Sequence, residues 1–277
     1  MTQATSTAYS RLLGDELRLL RERYSTLNGR KFALQLGWDP SKVSNIENGK
    51  ARASEIDLAQ YLTACGQDID IFDDFKRRYY NAFDLVCALP ASNVRTLAMA
   101  ESTATKITSY DVASQPCLFQ TKQYARELLT EGGIHAPEEI ERYADARVER
   151  QTVLRRPFRP ECLFYLHEFA LQQRVANAQV MEDQYLRLMF NTNIIRIVPL
   201  HAGTAGLESR FTLYEFEKAA PIVFTETNLV QVFAQDPTVV RQSRDLIERL
   251  DSVALDFDQS KDRLAKYVTA LRSPGSR

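Results

Sequence analysis

Four polar side chains that can hydrogen-bond to the edges of DNA bases stand close together in one short segment: Ser41, Lys42, Ser44 and Asn45. A lysine donates to guanine, an asparagine pairs with adenine through two hydrogen bonds, and a serine does either. Val43 and Ile46 alternate with them at helical spacing and point the other way, into a core. The spacing therefore predicts a recognition helix whose polar side meets the major groove.

Three basic residues near this segment are candidates for phosphate contacts. Arg30 begins a predicted helix, whose N-terminal amides also favour an anion, while Lys50 and Arg52 follow the recognition helix. Residues 11–56 carry a net charge of +3, whereas the whole chain carries −1. A locally basic segment on an otherwise acidic chain favours a DNA-contacting module joined to a second unit.

The elements that position these residues follow from periodicity and capping. Leucines recur at three- and four-residue steps from Arg11 to Tyr24 and predict a first helix. A second helix is predicted over 30–36, with Gly37 in a left-handed conformation after it. Asp39 caps a third helix with Pro40 at its first position, and that helix runs to Asn48. Ser54 caps a fourth helix, whose predicted core residues are Ile56, Ala59 and Leu62.

The spacing within residues 30–49 resembles the lambda-repressor/Cro type of helix-turn-helix, the XRE family. The residues that carry this resemblance are Ala33, Gly37, Val43, Ser44, Ile46, Glu47 and Gly49. The alternative is that three short helices simply pack and their polar residues face water. We favour DNA binding, because that alternative does not account for the joint spacing, and we assign Trp38 to the core.

The rest of the chain predicts a multidomain protein: an N-terminal all-α helix-turn-helix domain (11–66), a connecting helix and linker (67–92), and a C-terminal α+β domain (93–277). The connecting helix is predicted over 69–89, a junction at 90–93 and a further helix to Ser109. Later helices are predicted over 124–130, 137–154, 238–250 and 258–271, and strands over 162–167, 193–199, 211–217 and 222–227.

Several motifs of this region resemble one family of actinomycete transcriptional regulators. They are Gln115-Pro116-Cys117-Leu118-Phe119-Gln120-Thr121 with Tyr124-Ala125-Arg126, Arg147-x-x-Arg150-Gln151, Glu168-x-x-Leu171 and Ile197-Val198-Pro199-Leu200. Cys117 stands where that family usually has glycine. The resemblance implies an antitoxin-like regulator, with a C-terminal domain of unknown function and often a small partner protein encoded nearby.

Six polar residues lie within apolar patterns of the C-terminal region: Tyr110, Gln120, Tyr124, Arg147, Arg150 and Glu168. One interpretation is a pocket that binds an effector or a partner protein. The other is a set of buried hydrogen bonds and ion pairs that hold helix to sheet, and we favour it for each residue taken singly.

The sequence predicts no enzyme. His167-Glu168 begins like a zinc-protease helix, but Leu171 stands where the second histidine is needed. No phosphate-binding loop, dinucleotide fingerprint or Gly-x-Ser-x-Gly motif occurs, and we expect neither metal nor cofactor. The four cysteines are far apart, and no apolar run approaches the ~20 residues of a membrane span. We therefore expect a cytoplasmic protein with reduced thiols.

These observations predict a transcriptional regulator that binds double-stranded operator DNA as a homodimer. The alternative function is an antitoxin-like interaction module that sequesters a small partner protein and binds DNA for autoregulation. A small-molecule sensor is a third function, indicated only by the large second domain.

Overall fold

The computed structural model describes residues 6–79, 81–90, 94–202, 210–217 and 219–272. Its N-terminal part is a bundle of five helices: α1 (Ala8–Tyr24), α2 (Gly29–Leu36), α3 (Pro40–Glu47), α4 (Glu55–Ala64) and α5 (Ile69–Tyr79). The first helix begins at Ala8, before the predicted Arg11, because the Thr7 hydroxyl accepts a hydrogen bond from the Ser10 amide and caps it.

Local signals set the other helix ends as predicted. The carboxylate of Asp39 accepts a hydrogen bond from the Ser41 amide at 2.7 Å, and Pro40 occupies the first turn of α3. Ser54 and Asp57 form a reciprocal capping box at the start of α4. Gly37 has φ of +69°, a left-handed conformation in which an L-residue is strained, and it ends α2.

The core of this bundle lies between α1, α2, α3 and α4. Phe32, Val43 and Ile46 are buried as predicted, and the ring of Phe32 meets that of Tyr61 edge-on at 4.8 Å. The prediction for α4 is confirmed at Leu62, which is buried, but it is wrong at Ile56, which is 71% exposed. Ala59 is half-buried, and the other buried residues of α4 are Leu58 and Tyr61.

The predicted connecting helix over 69–89 is wrong in its second half. Helix α5 ends at Tyr79, and the chain turns and enters strand β1 (Val86–Pro90). This strand pairs antiparallel with β7 (Val230–Ala234), so that Val86 lies opposite Ala234 and Pro90 lies opposite Val230. The linker predicted over 67–92 is therefore part helix and part sheet edge, whereas residues 91–93 of the predicted junction lie outside the described residues.

The C-terminal part contains a seven-stranded mixed sheet in the order β1-β7-β6-β5-β2-β3-β4. Its remaining strands are β2 (Lys106–Asp111), β3 (Glu161–His167), β4 (Ile195–Val198), β5 (Phe211–Glu215), β6 (Ile222–Glu226) and β7 (Val230–Ala234). Strands β2, β3 and β4 are parallel, and the other pairs are antiparallel. The α+β prediction is confirmed.

Among the described residues, seven α-helices accompany this sheet: α6 (Val94–Thr103), α7 (Lys122–Gly132), α8 (Pro137–Arg150), α9 (Phe169–Gln172), α10 (Ala178–Met189), α11 (Pro237–Val253) and α12 (Phe257–Arg272). Leu264 and Val268 of α12 join α10 in the core on one face of the sheet. Val240 and Leu250 of α11 cover the other face. Helices α7 and α8 form a hairpin around their own small core.

The four predicted strands of this part are confirmed within a few residues, as are the helices α7, α8, α11 and α12. The helix predicted to reach Ser109 is wrong, because α6 ends at Thr103 and Ser109 lies within β2. Strands β1, β2 and β7 and helices α9 and α10 were not predicted. All four cysteines are free thiols, and those of Cys65 and Cys87 are buried.

The helix-turn-helix bundle contacts the C-terminal sheet through the first turn of α1. The ring of Tyr9 lies nearly parallel to that of Phe233 in β7, with 6.5 Å between centroids. The hydroxyl of Thr7 donates a hydrogen bond to the carbonyl of Ala82, just before β1. The hydroxyl of Thr96 in α6 donates to the Tyr9 hydroxyl at 3.5 Å. These contacts join α1 directly to the sheet.

Candidate DNA interface and C-terminal cavity

Helix α3 exposes one polar face. The side chains of Ser41, Ser44 and Asn45 are exposed, as predicted, and Asn48 extends the same face. The Asn48 amide nitrogen donates to the Ser44 carbonyl at 2.6 Å, which holds it against the helix. Hydrogen bonds from Ser41 lower the pKa of the Asp39 carboxyl, so the cap of α3 carries a stable negative charge. Ser41, Ser44 and Asn45 are therefore exposed polar groups on one face of the helix.

The structure places Lys42 differently from the other three predicted base-contacting residues. Its ammonium donates to the Asp57 carboxylate of α4 at 2.6 Å. It also lies 4.1 Å from the ring centroid of Trp38, within the range of a cation–π interaction. Lys42 is half-buried, and these contacts tie α3 to α4 and to the turn that precedes α3.

The three predicted phosphate-contacting residues are all exposed, but their surroundings differ. Arg30 lies in the first turn of α2, and Lys50 follows α3. Arg52 pairs with Asp84 at 3.2 Å, and its guanidinium lies 5.3 Å from the ring centroid of Phe83. Arg52 therefore spans the gap between the recognition helix and the turn that precedes β1.

A buried ion pair holds the recognition helix in place. The Glu47 carboxylate at the end of α3 accepts hydrogen bonds from Arg21 Nε at 2.7 Å and Nη2 at 2.9 Å. It also accepts one from the Tyr61 hydroxyl at 2.6 Å. Arg21 donates further to the Leu27 carbonyl at 2.8 Å. One network thus connects α1, the loop before α2, α3 and α4, and Glu47 faces the core.

Two glycines allow α1 to approach the C-terminal end of α3. A Cβ at Gly14 would lie 2.5 Å from the Glu47 carbonyl oxygen, and one at Gly49 would lie 2.4 Å from the Ser10 carbonyl carbon. Gly49 also has φ of +62°. The Ser10 hydroxyl donates to the Gly49 carbonyl at 2.8 Å across this contact. Gly49 is therefore required by both packing and backbone conformation.

A cavity of about 600 Å³ lies between the α7–α8 hairpin and the β6–β7 hairpin. It brings together three of the six polar residues singled out in the C-terminal region: Gln120, Arg147 and Arg150. Nη1 of Arg147 donates to the Gln120 side-chain oxygen at 2.9 Å, and the Gln120 amide donates to the Gln115 carbonyl at 2.8 Å. The α7–α8 hairpin thus presents Arg147 to the cavity in a fixed orientation.

Two other arginines of the cavity wall are neutralised by acidic partners. Arg150 forms a bidentate pair with the buried Glu101, with distances of 2.6 and 2.9 Å. Arg210 lies between Asp111 at 3.1 Å and Glu226 at 3.0 Å. Burial raises the pKa of the Asp111 carboxyl, although Arg210 opposes this effect. Sequence reasoning did not single out Arg210, because its partners lie on β2 and β6, remote in the chain.

Aromatic and aliphatic side chains form the rest of the wall. The rings of His135 and Tyr143 lie 4.3 Å apart between centroids, and both residues line the cavity. Leu128, Leu129 and Ile134 add an apolar surface. No motif in the sequence distinguished these residues, because isolated aromatic and aliphatic residues on amphipathic helices are ordinary.

The other three predicted polar residues do not line this cavity. Tyr110 and Tyr124 are buried, and burial raises the pKa of each phenol to about 12. Glu168 accepts hydrogen bonds from Arg263, from the Leu200 amide and from the Tyr267 hydroxyl. Burial raises its pKa, but these hydrogen bonds outweigh burial and lower it overall. All three contribute to packing between helix and sheet.

No group of three or more metal-ligating side chains occurs among the residues that the structure describes. His167 is buried in β3, and its Nδ1 accepts a hydrogen bond from the Phe169 amide at 3.1 Å. Burial lowers the pKa of this imidazole. Within the described ranges, no helix combines the length and apolar character that crossing a bilayer requires.

Both parts of the chain match the profile of a protein family. Residues 12–73 match the profile of a helix-turn-helix domain, which covers α1 after its first turn, α2 to α4 and the start of α5. Residues 94–266 match the profile described as a domain of unknown function, DUF5753, and these residues make up more than half of the chain. The chain belongs to the DUF5753 family.

The two matches agree with the fold, since the helix-turn-helix match ends within α5 and the DUF5753 match begins at α6. Strand β1 lies in the DUF5753 sheet but precedes the matched residues. The helix-turn-helix domain supports a DNA-binding regulator. Searches of curated proteins and of solved structures found no match to this chain.

Proposed function

We propose that this protein is a sequence-specific transcriptional regulator that uses α3 as its recognition helix, with an effector or partner bound by the DUF5753 domain. The observation that carries this proposal is the exposed pair Ser44 and Asn45 on a helix fixed by the buried Arg21–Glu47 network. A rigid helix with a free polar face is what base contacts in the major groove require.

The surroundings of each basic residue suggest its task. Arg30 and Lys50 are exposed at either end of the α2–α3 unit and are proposed to contact phosphates. Arg52, held by Asp84, would contact phosphate only at the edge of the interface. Lys42 is already paired with Asp57, so we assign it to the orientation of α3 and not to a base contact.

The proposal includes a homodimer, because a single helix of this length contacts few base pairs. Two copies would place their recognition helices in successive major grooves ~34 Å apart, on an operator with two related half-sites. Half-site spacing in selected DNA therefore tests the dimer independently of any structural measurement.

The experiment is selection of bound DNA from a random pool by the full-length protein and by Ser44→Ala/Asn45→Ala. The control is Thr63→Ala, an exposed substitution on α4 outside the α2–α3 unit. We expect one enriched motif with native protein and with the control, and none with the double variant. Equal enrichment by the double variant would refute α3 as the recognition helix, and no enrichment by any of the three would refute sequence-specific binding by this chain alone.

The alternative, an antitoxin-like module that sequesters a small protein, makes a different prediction. A small partner encoded beside this chain would co-purify with it in a fixed ratio, and the complex would survive the double substitution on α3. Motif enrichment without such a partner would favour the regulator.

A further inference from the structure

We propose that the cavity between the α7–α8 and β6–β7 hairpins binds a small aromatic carboxylate, whose carboxylate pairs with Arg147. This ligand would be the effector of the regulator proposed above, and the inference rests on that function. It is carried by three observations: the charge state of the cavity wall, its aromatic and aliphatic lining, and its connection to α1.

The charges of the wall point to one anionic group in the ligand. Arg150 pairs with Glu101, and Arg210 with Asp111 and Glu226. Within the part of the chain that the structure describes, Arg147 has no carboxylate partner and donates only to the neutral Gln120 side chain. A guanidinium that lines a cavity in this way matches a carboxylate, which can accept two parallel hydrogen bonds.

The wall also disfavours a highly charged ligand. Glu131 and Glu226 both line the cavity, so a nucleotide or another polyphosphate would place several negative charges near two carboxylates. A single carboxylate at Arg147 avoids this repulsion. Because Arg147 is the one arginine of the described lining without a carboxylate partner, the cavity favours a ligand with a single negative charge.

The remaining surface suits an aromatic body. Tyr143 lies against His135 at one side of the cavity, and Leu128, Leu129 and Ile134 supply apolar contacts. A cavity of about 600 Å³ lies within the range of small-molecule sites. A bicyclic ring with a short acidic side chain would place its ring on this surface and its carboxylate on Arg147.

Strand β7 connects the cavity to the helix-turn-helix bundle. Gln231 of β7 lines the cavity, and Phe233, two residues further along and on the same face of the strand, stacks on Tyr9 of α1. A ligand that shifts this strand would act on the helix that packs against α3. The cavity therefore lies where binding can alter the DNA-contacting surface.

The test uses a matched pair of probes, 1-naphthaleneacetate and its neutral amide, titrated calorimetrically into the full-length protein without DNA. We expect the acid to bind at least ~10-fold more tightly than the amide. Arg147→Gln should remove this preference, whereas Arg147→Lys should retain part of it. Arg241→Gln, an exposed arginine on α11, is the matched control and should behave like native protein.

A second variant tests the location of the binding site and leaves the charge of Arg147 in place. Ala146 lines the cavity from α8, and Ala146→Phe should fill it and abolish binding of both probes, while its circular dichroism stays native. Equal affinity for acid and amide, unchanged binding by Arg147→Gln, or no binding of either probe at about 1 mM would overturn the inference. These titrations contain no DNA, so a negative result would concern the cavity alone. Failure of the operator selection is therefore a separate outcome.

Discussion

The buried ion pair of the recognition helix provides the sharpest test of how this domain is stabilised. Replacing Glu47 by alanine removes the acceptor of three hydrogen bonds, two from Arg21 and one from Tyr61. The Arg21 side chain, only 6% exposed, would then lie in the core without its main partner. Leaving one charge of a buried pair unpaired costs about 3–5 kcal/mol.

The structure places the expected loss at the lower end of that range. Arg21 keeps its hydrogen bond to the Leu27 carbonyl and a 3.4 Å contact with Glu22, and Tyr61 keeps the Leu17 carbonyl. We therefore expect Glu47→Ala to lower the free energy of unfolding by about 3 kcal/mol. For a unit of 60–100 residues that unfolds by itself, a loss of this size lowers Tm by roughly 12 °C or more.

The native protein already contains a fluorescent reporter for this measurement. Trp38 is the single tryptophan of the chain and packs against the same core, with 6.5 Å between its ring centroid and that of Tyr61. Its fluorescence during urea or thermal unfolding reports on the surroundings of this core. The matched control is Glu22→Ala, which removes the other carboxylate near Arg21. Because Glu22 is 54% exposed, its loss should cost less than about 1 kcal/mol.

The reasoning is refuted if Glu47→Ala costs less than about 1 kcal/mol, or no more than Glu22→Ala does. A double substitution separates charge from packing. Arg21→Met with Glu47→Leu removes both charges and should be more stable than Glu47→Ala, because no unpaired buried charge remains. A double variant that is less stable than the single one would show that packing, and not charge, dominates at this position.

Three further outcomes are expected. Asn45→Ala should weaken binding to the selected operator by ~1–3 kcal/mol and leave random DNA unaffected in fluorescence anisotropy; equal losses on both would exclude a base contact. Arg30→Ala should weaken binding to all sequences alike and reduce the slope of log K against log salt by about 1. Glu168 has a pKa lowered below its unfolded value of ~4.3, so it stabilises the fold above that pH and loses this effect as pH falls through its folded pKa. Glu168→Gln should therefore be less stable than native protein at pH 7, and the difference in Tm, followed by circular dichroism, should narrow in acid; a constant difference would contradict the assignment.

The helix-turn-helix was predictable because its signals are local. Capping by Asp39 and Ser54, the proline at the start of α3 and the left-handed Gly37 act within a few residues of the features they determine. Periodicity alone was less reliable. It predicted Ile56 in the core, whereas Ile56 is exposed and Tyr61 packs against Phe32 in its place.

Strand β1 could not be predicted because its pairing partner, β7, lies far away in the chain. The segment 86–90 follows a run of aromatic residues with helical character, and only pairing with β7 makes it a strand. The same reason applies to Lys42. Its position in α3 predicts an outward side chain, but Asp57 on α4 and the ring of Trp38 hold it.

The cavity was predictable in part. Gln120, Arg147 and Arg150 lie on the α7–α8 hairpin or in the turn before it. The sequence motifs that contain them marked them as candidate site residues. Arg210 and the aromatic wall come from segments with no motif, so only the folded chain brings them together. Glu168, which pairs with Arg263, agrees with the buried hydrogen bonds and ion pairs that the sequence favoured, whereas for Tyr110 and Tyr124 the structure shows burial alone.

Because strand β1 joins the sheet before residue 94, it determines where a C-terminal fragment of this protein can begin. A fragment that starts at residue 94, where the family match begins, would lack β1 and leave the outer backbone groups of β7 unpaired. An uncovered edge of that kind pairs with other chains and promotes aggregation. A well-behaved C-terminal fragment must therefore begin before Val86, and its boundary falls inside the segment that looks like a linker. Shortening that segment would remove part of the sheet and would not merely bring two independent units closer together.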